Sequence, residues 1–253
     1  MKSEKNLSEY RIIDSHAHIG FYADLGLNFT PNALIKYLDE HNISASCTSC
    51  VSRNMNEDNN QLSLAVEKYG TRLIGLAHLD PSSPSWKYQL KKIARKKFRG
   101  VKLHPYWDCY NLLDEKIMFP FLEAVTKYDL PILVHTGNYP LCVPLQVSFL
   151  AKSFRTLNFI CAHMGVDSHI ECVAASKMSS NIFFETSGTT STRTVERAIR
   201  EIGYRRILWG SDVPFGYFSP EFSKIASTSL AENQKQAIFF DNAARIFAIE
   251  DCA

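Results

Sequence analysis

Short apolar, β-branched runs recur along the chain, each followed by a longer segment whose apolar positions fall at helical spacing. Eight such runs lie at 11–19, 45–51, 72–80, 100–104, 131–137, 158–164, 181–188 and 206–214. They are spaced by about thirty residues on average, the size of one strand-plus-helix unit. The stretches 31–42, 59–70, 83–97, 114–129, 144–155, 167–178, 192–203 and a final pair near 219–229 and 232–249 read as amphipathic helices. Several open on Pro or Ser and close near Gly or Asn, the residues that helix ends favour. This alternation predicts an α/β fold, a (β/α)8 TIM barrel forming a single domain over 1–253. An open doubly wound sheet is the runner-up, but DSHAHIG stands where its Gly-rich phosphate turn would follow the first strand.

Composition narrows the class without naming a function. The 253 residues are 45% hydrophobic, and 28 basic side chains nearly balance 26 acidic ones. Such a chain is neither disordered nor a bulk electrostatic binder of nucleic acid. The basic run at 91–100 reads as a solvated helix end whose cations complement the helix dipole. No apolar stretch has the length of a signal core or a membrane span, so a cytoplasmic protein without a membrane partner is expected. Seven scattered cysteines suggest free thiols, and Cys47 and Cys50 read as core residues on opposite faces of a strand.

The unusual polar residues gather where barrel strands end, which is where barrels carry function. The first run ends in His16-Ala17-His18, and residues two apart on a strand face the same way. The fifth run reaches His135, the sixth His163 and the eighth Asp212. Each alone is weak, since a single strand-end histidine is usually structural. Together they bring imidazoles and a carboxylate to one rim, the ligand set of zinc, iron, manganese or nickel. Such groups are costly to bury without a shared partner, and a cation supplies one.

IDSHAHIG on the first strand, LVHTG around His135, CAHMG around His163, GSDVP around Asp212 and the closing DNAARIF resemble the amidohydrolase superfamily. The likeness is to its amidohydrolase-related branch (amidohydrolase 2), which includes metal-dependent decarboxylases. It implies that His16, His18, His135 and Asp212 hold a divalent metal, with zinc the expected ion. It also implies that Asp212 and His163 act in catalysis, Asp212 taking a proton from a metal-bound water and His163 polarising that water or contacting substrate. One ion is favoured, and a second is compatible if His163 or a carboxylated Lys102 is a ligand.

Lys102 and His104 share a face of the fourth strand, and a buried ammonium there needs an anion: a bridging carbamate, a substrate carboxylate, or Asp14 or another acid. Lys102, His104, Trp107 and Tyr139 are therefore candidate substrate-binding residues. Tyr106, Phe215 and Tyr217 are candidate loop aromatics. His78 and Asp80 read as a strand-to-turn junction, while His41 and His169 read as packing or surface residues.

The leading functional expectation is a metal-dependent hydrolase of a small amide, ester or lactone. Its alternative is a decarboxylase of an unsaturated or aromatic carboxylate using the same site. A TatD-like deoxyribonuclease is disfavoured, because that branch carries glutamate where this chain has Lys102. A barrel that binds without catalysis is disfavoured by the intact ligand set. A small-molecule substrate is expected, no nucleic acid, and a homo-oligomer is compatible with the modest loops.

Overall fold

The computed structural model describes residues 10–22, 25–50, 55–137, 140–166 and 169–249. Its strands are β1 (Ile13–His18), β2 (Gly20–Tyr22), β3 (Leu27–Phe29), β4 (Ala45–Ser49), β5 (Leu73–His78), β6 (Phe98–Leu103), β7 (Ile132–Val134), β8 (Phe159–Cys161), β9 (Ile182–Glu185) and β10 (Ile207–Leu208). The helices are α1 (Pro31–Glu40), α2 (Met55–Tyr69), α3 (Trp86–Ile93), α4 (Glu115–Thr126), α5 (Pro144–Ser153), α6 (His169–Met178), α7 (Thr192–Ile202), α8 (Phe218–Ala226), α9 (Glu232–Gln236) and α10 (Asn242–Ile246).

Eight parallel strands form one sheet in the order β1-β4-β5-β6-β7-β8-β9-β10. The last strand returns to the first through a bridge between Ala17 and Val213. Backbone N–H groups of Ser15, Asp212 and His18 donate to the carbonyls of Trp209, His16 and Val213 at 3.0, 2.8 and 2.8 Å, closing the ring. The fold is the TIM barrel that the alternation predicts.

Local chemistry explains the elements. Pro31 opens α1, where Thr30 Oγ1 accepts from Ala33 N at 3.2 Å. Asp114 caps α4 in the same way. On α7 the buried residues Val195, Ala198, Ile199 and Ile202 recur at helical spacing and face the sheet. Inside the barrel Ile13, Ile74, Leu76, Leu133, Ile160, Phe183 and Leu208 pack into an apolar plug with Phe240 and Phe247. A larger apolar layer lies between strands and helices.

The structure departs from the expected pattern in three places. The hydrogen-bonded strands are shorter than the apolar runs, only three residues in β7 and β8, because the chain leaves the sheet once its polar residues reach the rim. An antiparallel hairpin, β2 with β3, stands where no element was expected. The basic run is only partly a helix end, since α3 stops at Ile93 and β6 begins at Phe98. Cys47 and Cys50 are buried on opposite faces, one in each apolar layer. No described helix is long and apolar enough to cross a membrane.

Candidate metal centre

The site begins with a fault in β1. Its register against β4 shifts between Asp14 and Ala17. Ile13 therefore faces the barrel interior, and so do His16 and His18, although strict alternation would turn them away from it. Two buried groups hold the bulge. Asp14 accepts from Ser211 Oγ at 2.5 Å, Ser211 N at 2.9 Å and His16 N at 3.1 Å. Burial raises its pKa to about 7, against those hydrogen bonds. Asp14 thus ties the histidine strand to the turn that carries Asp212, and its hydrogen bonds run to Ser211 and His16 rather than to Lys102.

The donor atoms then converge. His16 Nε2 lies 3.1 Å from His18 Nε2 and 3.6 Å from Asp212 Oδ1, and His18 Nε2 lies 3.1 Å from the same carboxylate oxygen. His16, His163 and Asp212 each offer an atom within 4.8 Å of the other two, making them a candidate divalent-metal site. His135, expected as a ligand, stands one step away. Its Nδ1 is 3.2 Å from His163 Nε2, and its ring stacks on His104 with centroids 4.0 Å apart. His163, expected in catalysis, is brought into the donor ring itself. Asp212 and His163 both hold positive φ, 56° and 61°, a left-handed backbone that costs about 1–3 kcal/mol per residue and is characteristic of functional sites.

These residues fit an ion. His16 Nδ1 meets Glu185 Oε2 at 2.9 Å and His18 Nδ1 meets Ser49 Oγ at 3.1 Å, so both rings are anchored on the far side and turn Nε2 inward. Lys102 Nζ donates to His16 Nε2 at 2.8 Å and His18 Nε2 donates to Asp212 Oδ1 at 3.1 Å, and a bound cation would take the place of these protons between the same donor atoms. The donors are imidazole and carboxylate without thiolate, suited to zinc, manganese or iron.

Burial shapes the charges. It pushes His16 well below the ordinary imidazole range, with Lys102 adding to the effect. It lowers His163 to about 4 against the attraction of Asp212, and it lowers His104 far more. These imidazoles are neutral near pH 7. Burial would raise Asp212, but the hydrogen bond from His18 and the electrostatic attraction of His163, His18 and Lys102 outweigh it and keep the carboxylate ionised. Lys102 is wholly buried, its Nζ 2.8 Å from His16 Nε2. Burial lowers it to about 8, opposed by Asp212 and Glu185.

A cavity of about 260 Å³ opens above, lined by His18, Lys102, His104, His135, His163 and Asp212 with Leu25, Trp107 and Phe215. A larger hollow, about 500 Å³, lies at the other end of the strands and is lined by no imidazole or carboxylate. The unexpected hairpin supplies part of the upper wall, for Tyr22 packs edge-on against Phe215 and Phe215 against His18. Trp107 meets His104 edge-on, and the backbone N–H of Trp107 donates to His104 Nδ1 at 3.2 Å. Tyr106 and Tyr217 are largely exposed, and Tyr139 lies outside the described residues. His78 is buried and pairs with Asp108 at 2.9 Å, anchoring the Trp107 loop, while His41 stacks on Phe218.

Sequence reasoning missed Glu185, Ser187 and Ser49. Glu185 carried a signal, an acid closing the apolar run NIFFE on an otherwise buried strand.

The amidohydrolase 2 family model, described as Amidohydrolase, matches residues 13–249. The chain belongs to this family. Similar solved structures of the amidohydrolase fold include 5-carboxyvanillate decarboxylase from Sphingomonas paucimobilis, with 17% identity, 96% of this chain and 100% of that one covered, and a TM-score of 0.77. Another is a dihydroxybenzoic acid decarboxylase from a Polaromonas species with bound manganese and 2-nitroresorcinol, at 19%, 95% and 97% coverage, and 0.75. A third is a probable 2-pyrone-4,6-dicarboxylic acid hydrolase from Acinetobacter baumannii, at 18%, 94% and 100% coverage, and 0.75. At these identities the likeness is one of fold. A comparison with curated proteins returns no match. Manganese is the ion of the Polaromonas decarboxylase structure, and the expectation of zinc gains no specific support.

Proposed function

We propose that this amidohydrolase is a metal-dependent decarboxylase of a small aromatic or unsaturated carboxylate. The observation that carries the reading is Lys102, a buried cation lining the floor of a cavity of about 260 Å³ whose upper wall is Leu25, Trp107 and Phe215. A flat ring suits those walls, and its carboxylate suits the ammonium. The fold likeness to decarboxylases of benzoic acids supports the same choice over the hydrolase expected first.

His16, His18 and Asp212 would hold one divalent ion, with His163 or His135 completing the set. When bound, the ion supplies positive charge that stabilises negative charge developing on the substrate. The chain's own groups do the rest. Lys102 and His104 orient the acid, and Trp107 and Phe215 exclude water from the ring face. The bond from ring carbon to carboxylate breaks, the electron pair stays on carbon, and carbon dioxide leaves. One proton must replace it there; water supplies it, and the Asp212 carboxylate and His163 Nε2 are the cavity groups able to accept that proton and pass it to the carbon.

The test is a panel of monocyclic hydroxybenzoates and unsaturated dicarboxylates, incubated with manganese- or zinc-loaded protein and assayed for carbon dioxide. Release that disappears with chelation and in Asp212→Asn is expected. Turnover confined to lactones, esters or amides in a parallel panel overturns the reading and restores hydrolysis, which the fold likeness to a probable hydrolase and the closeness of Asp212 to His163, within 4.8 Å, also suit.

A further inference from the structure

One buried carboxylate gathers protons from three elements. Glu185 Oε2 accepts from His16 Nδ1 at 2.9 Å, from the backbone N–H of His163 at 3.2 Å and from Ser187 Oγ at 2.8 Å. Glu185 Oε1 accepts from Ser187 N. The hydroxyl of Ser187 in turn lies 3.1 Å from His163 Nδ1. Every partner of the carboxylate that cannot reverse its bond is a backbone donor, and the serine hydroxyl has one proton, directed at Oε2. Burial pushes Glu185 up to about 8 against these donors; with the carboxylate ionised, consistent hydrogen bonding runs one way: His163 Nδ1–H to Ser187 Oγ, Ser187 O–H to Glu185, and His16 Nδ1–H to Glu185. In that arrangement both imidazoles present unprotonated Nε2 atoms to the cavity side.

We infer that Glu185 is the positioning residue that sets the tautomers of two histidines from different strands, His16 directly and His163 through Ser187. The inference rests on the metal reading of the site, since His16, His163 and Asp212 are the donors that cluster. It explains why an acid is buried at the end of β9 with no exposed surface. It also explains Gly210: a Cβ there would lie 2.5 Å from Glu185 Oε1 and 3.0 Å from His16 Cβ, so a larger residue would press on the shared bond. Glutamine cannot replace the acid freely, because its amide nitrogen would confront either Ser187 N–H or the three donors at Oε2.

Long-range proton–nitrogen NMR of the zinc-loaded protein reads the tautomers, and competitive zinc titration reads the affinity. The expected result in the wild type is Nδ1–H on both His16 and His163. Glu185→Gln should disturb both rings and weaken zinc about 10–100-fold, the usual cost of losing such a partner. Ser187→Ala should disturb His163 while leaving His16 as Nδ1–H. Protonated Nε2 on His16 in the wild type, or unchanged tautomers and affinity in Glu185→Gln, overturns the inference. A wild type that takes up no zinc or manganese defeats the metal reading instead, and the tautomer of its His16 still decides the role of Glu185.

Discussion

The two halves of the barrel interior are built from the same strands and are equally buried, yet they are made of different matter. Towards the N-terminal ends the strands point Ile13, Ile74, Leu133, Ile160 and Phe183 inward, sealed by Phe240 and Phe247. Towards the C-terminal ends the same strands point His16, Lys102 and Glu185 inward, none more than 1% exposed, below a rim of His18, His163 and Asp212. The lower half is held by non-directional contacts that stabilise in proportion to area. The upper half spends stability on polar groups that must each find a partner. One half therefore sets whether the barrel stands and the other what it can bind.

Substitutions should separate the halves most sharply at Asp212 and Phe247. Asp212→Asn is expected to lower activity by on the order of 10²–10³-fold, the scale for removing a charge-stabilising group, with little change in urea midpoint. Phe247→Ala should do the reverse, costing about 3–5 kcal/mol in urea unfolding while folded protein keeps its affinity for manganese. Equal loss of stability in both variants would erase the division.

Gly210→Ala sits at the boundary. By pushing on Glu185 and His16 it should weaken zinc by about ten-fold or more, read by competitive titration, with a smaller fall in melting temperature.

Acid provides a third test. His163 is held at about 4, below the ordinary imidazole value of 6.5, so the unfolded chain takes up its proton first as pH falls. Its contribution is complete above pH 6.5 and is lost on descending to about 4, a change on the order of 1–3 kcal/mol in the metal-free protein. Urea midpoints of wild type and His163→Gln should converge across that window, whereas Phe247→Ala should stay parallel to wild type.

The smallest effect is expected at the wall. Trp107→Ala removes one half-exposed aromatic face and should raise KM by roughly ten-fold, about 1–2 kcal/mol of apolar contact, with kcat less affected. A fall in kcat alone would instead place Trp107 in the chemistry.

Much of this was legible in the chain. The rhythm of apolar runs and amphipathic segments specifies a (β/α)8 barrel, because strand and helix periods are local properties of sequence. That rhythm also placed His16, His18, His135, His163 and Asp212 near one rim, since parallel strands share a common direction. The hairpin at Gly20–Phe29 escaped it, for three-residue strands leave almost no period to read.

What only the folded molecule decided is which of those groups meet. The bulge after Asp14 turns His16 and His18 inward through hydrogen bonds from Ser211, 197 residues away. The partner of His16 Nδ1 is Glu185, 169 residues away. His163 joins His16 and Asp212 in one donor cluster, and His135 lines the same cavity with its Nδ1 3.2 Å from His163 Nε2. Sequence determined the scaffold and the inventory of polar groups because both follow from neighbours along the chain. The pairing of donors with acceptors belongs to the tertiary structure because hydrogen bonds depend on distances of about 3 Å between atoms that the chain alone does not bring together.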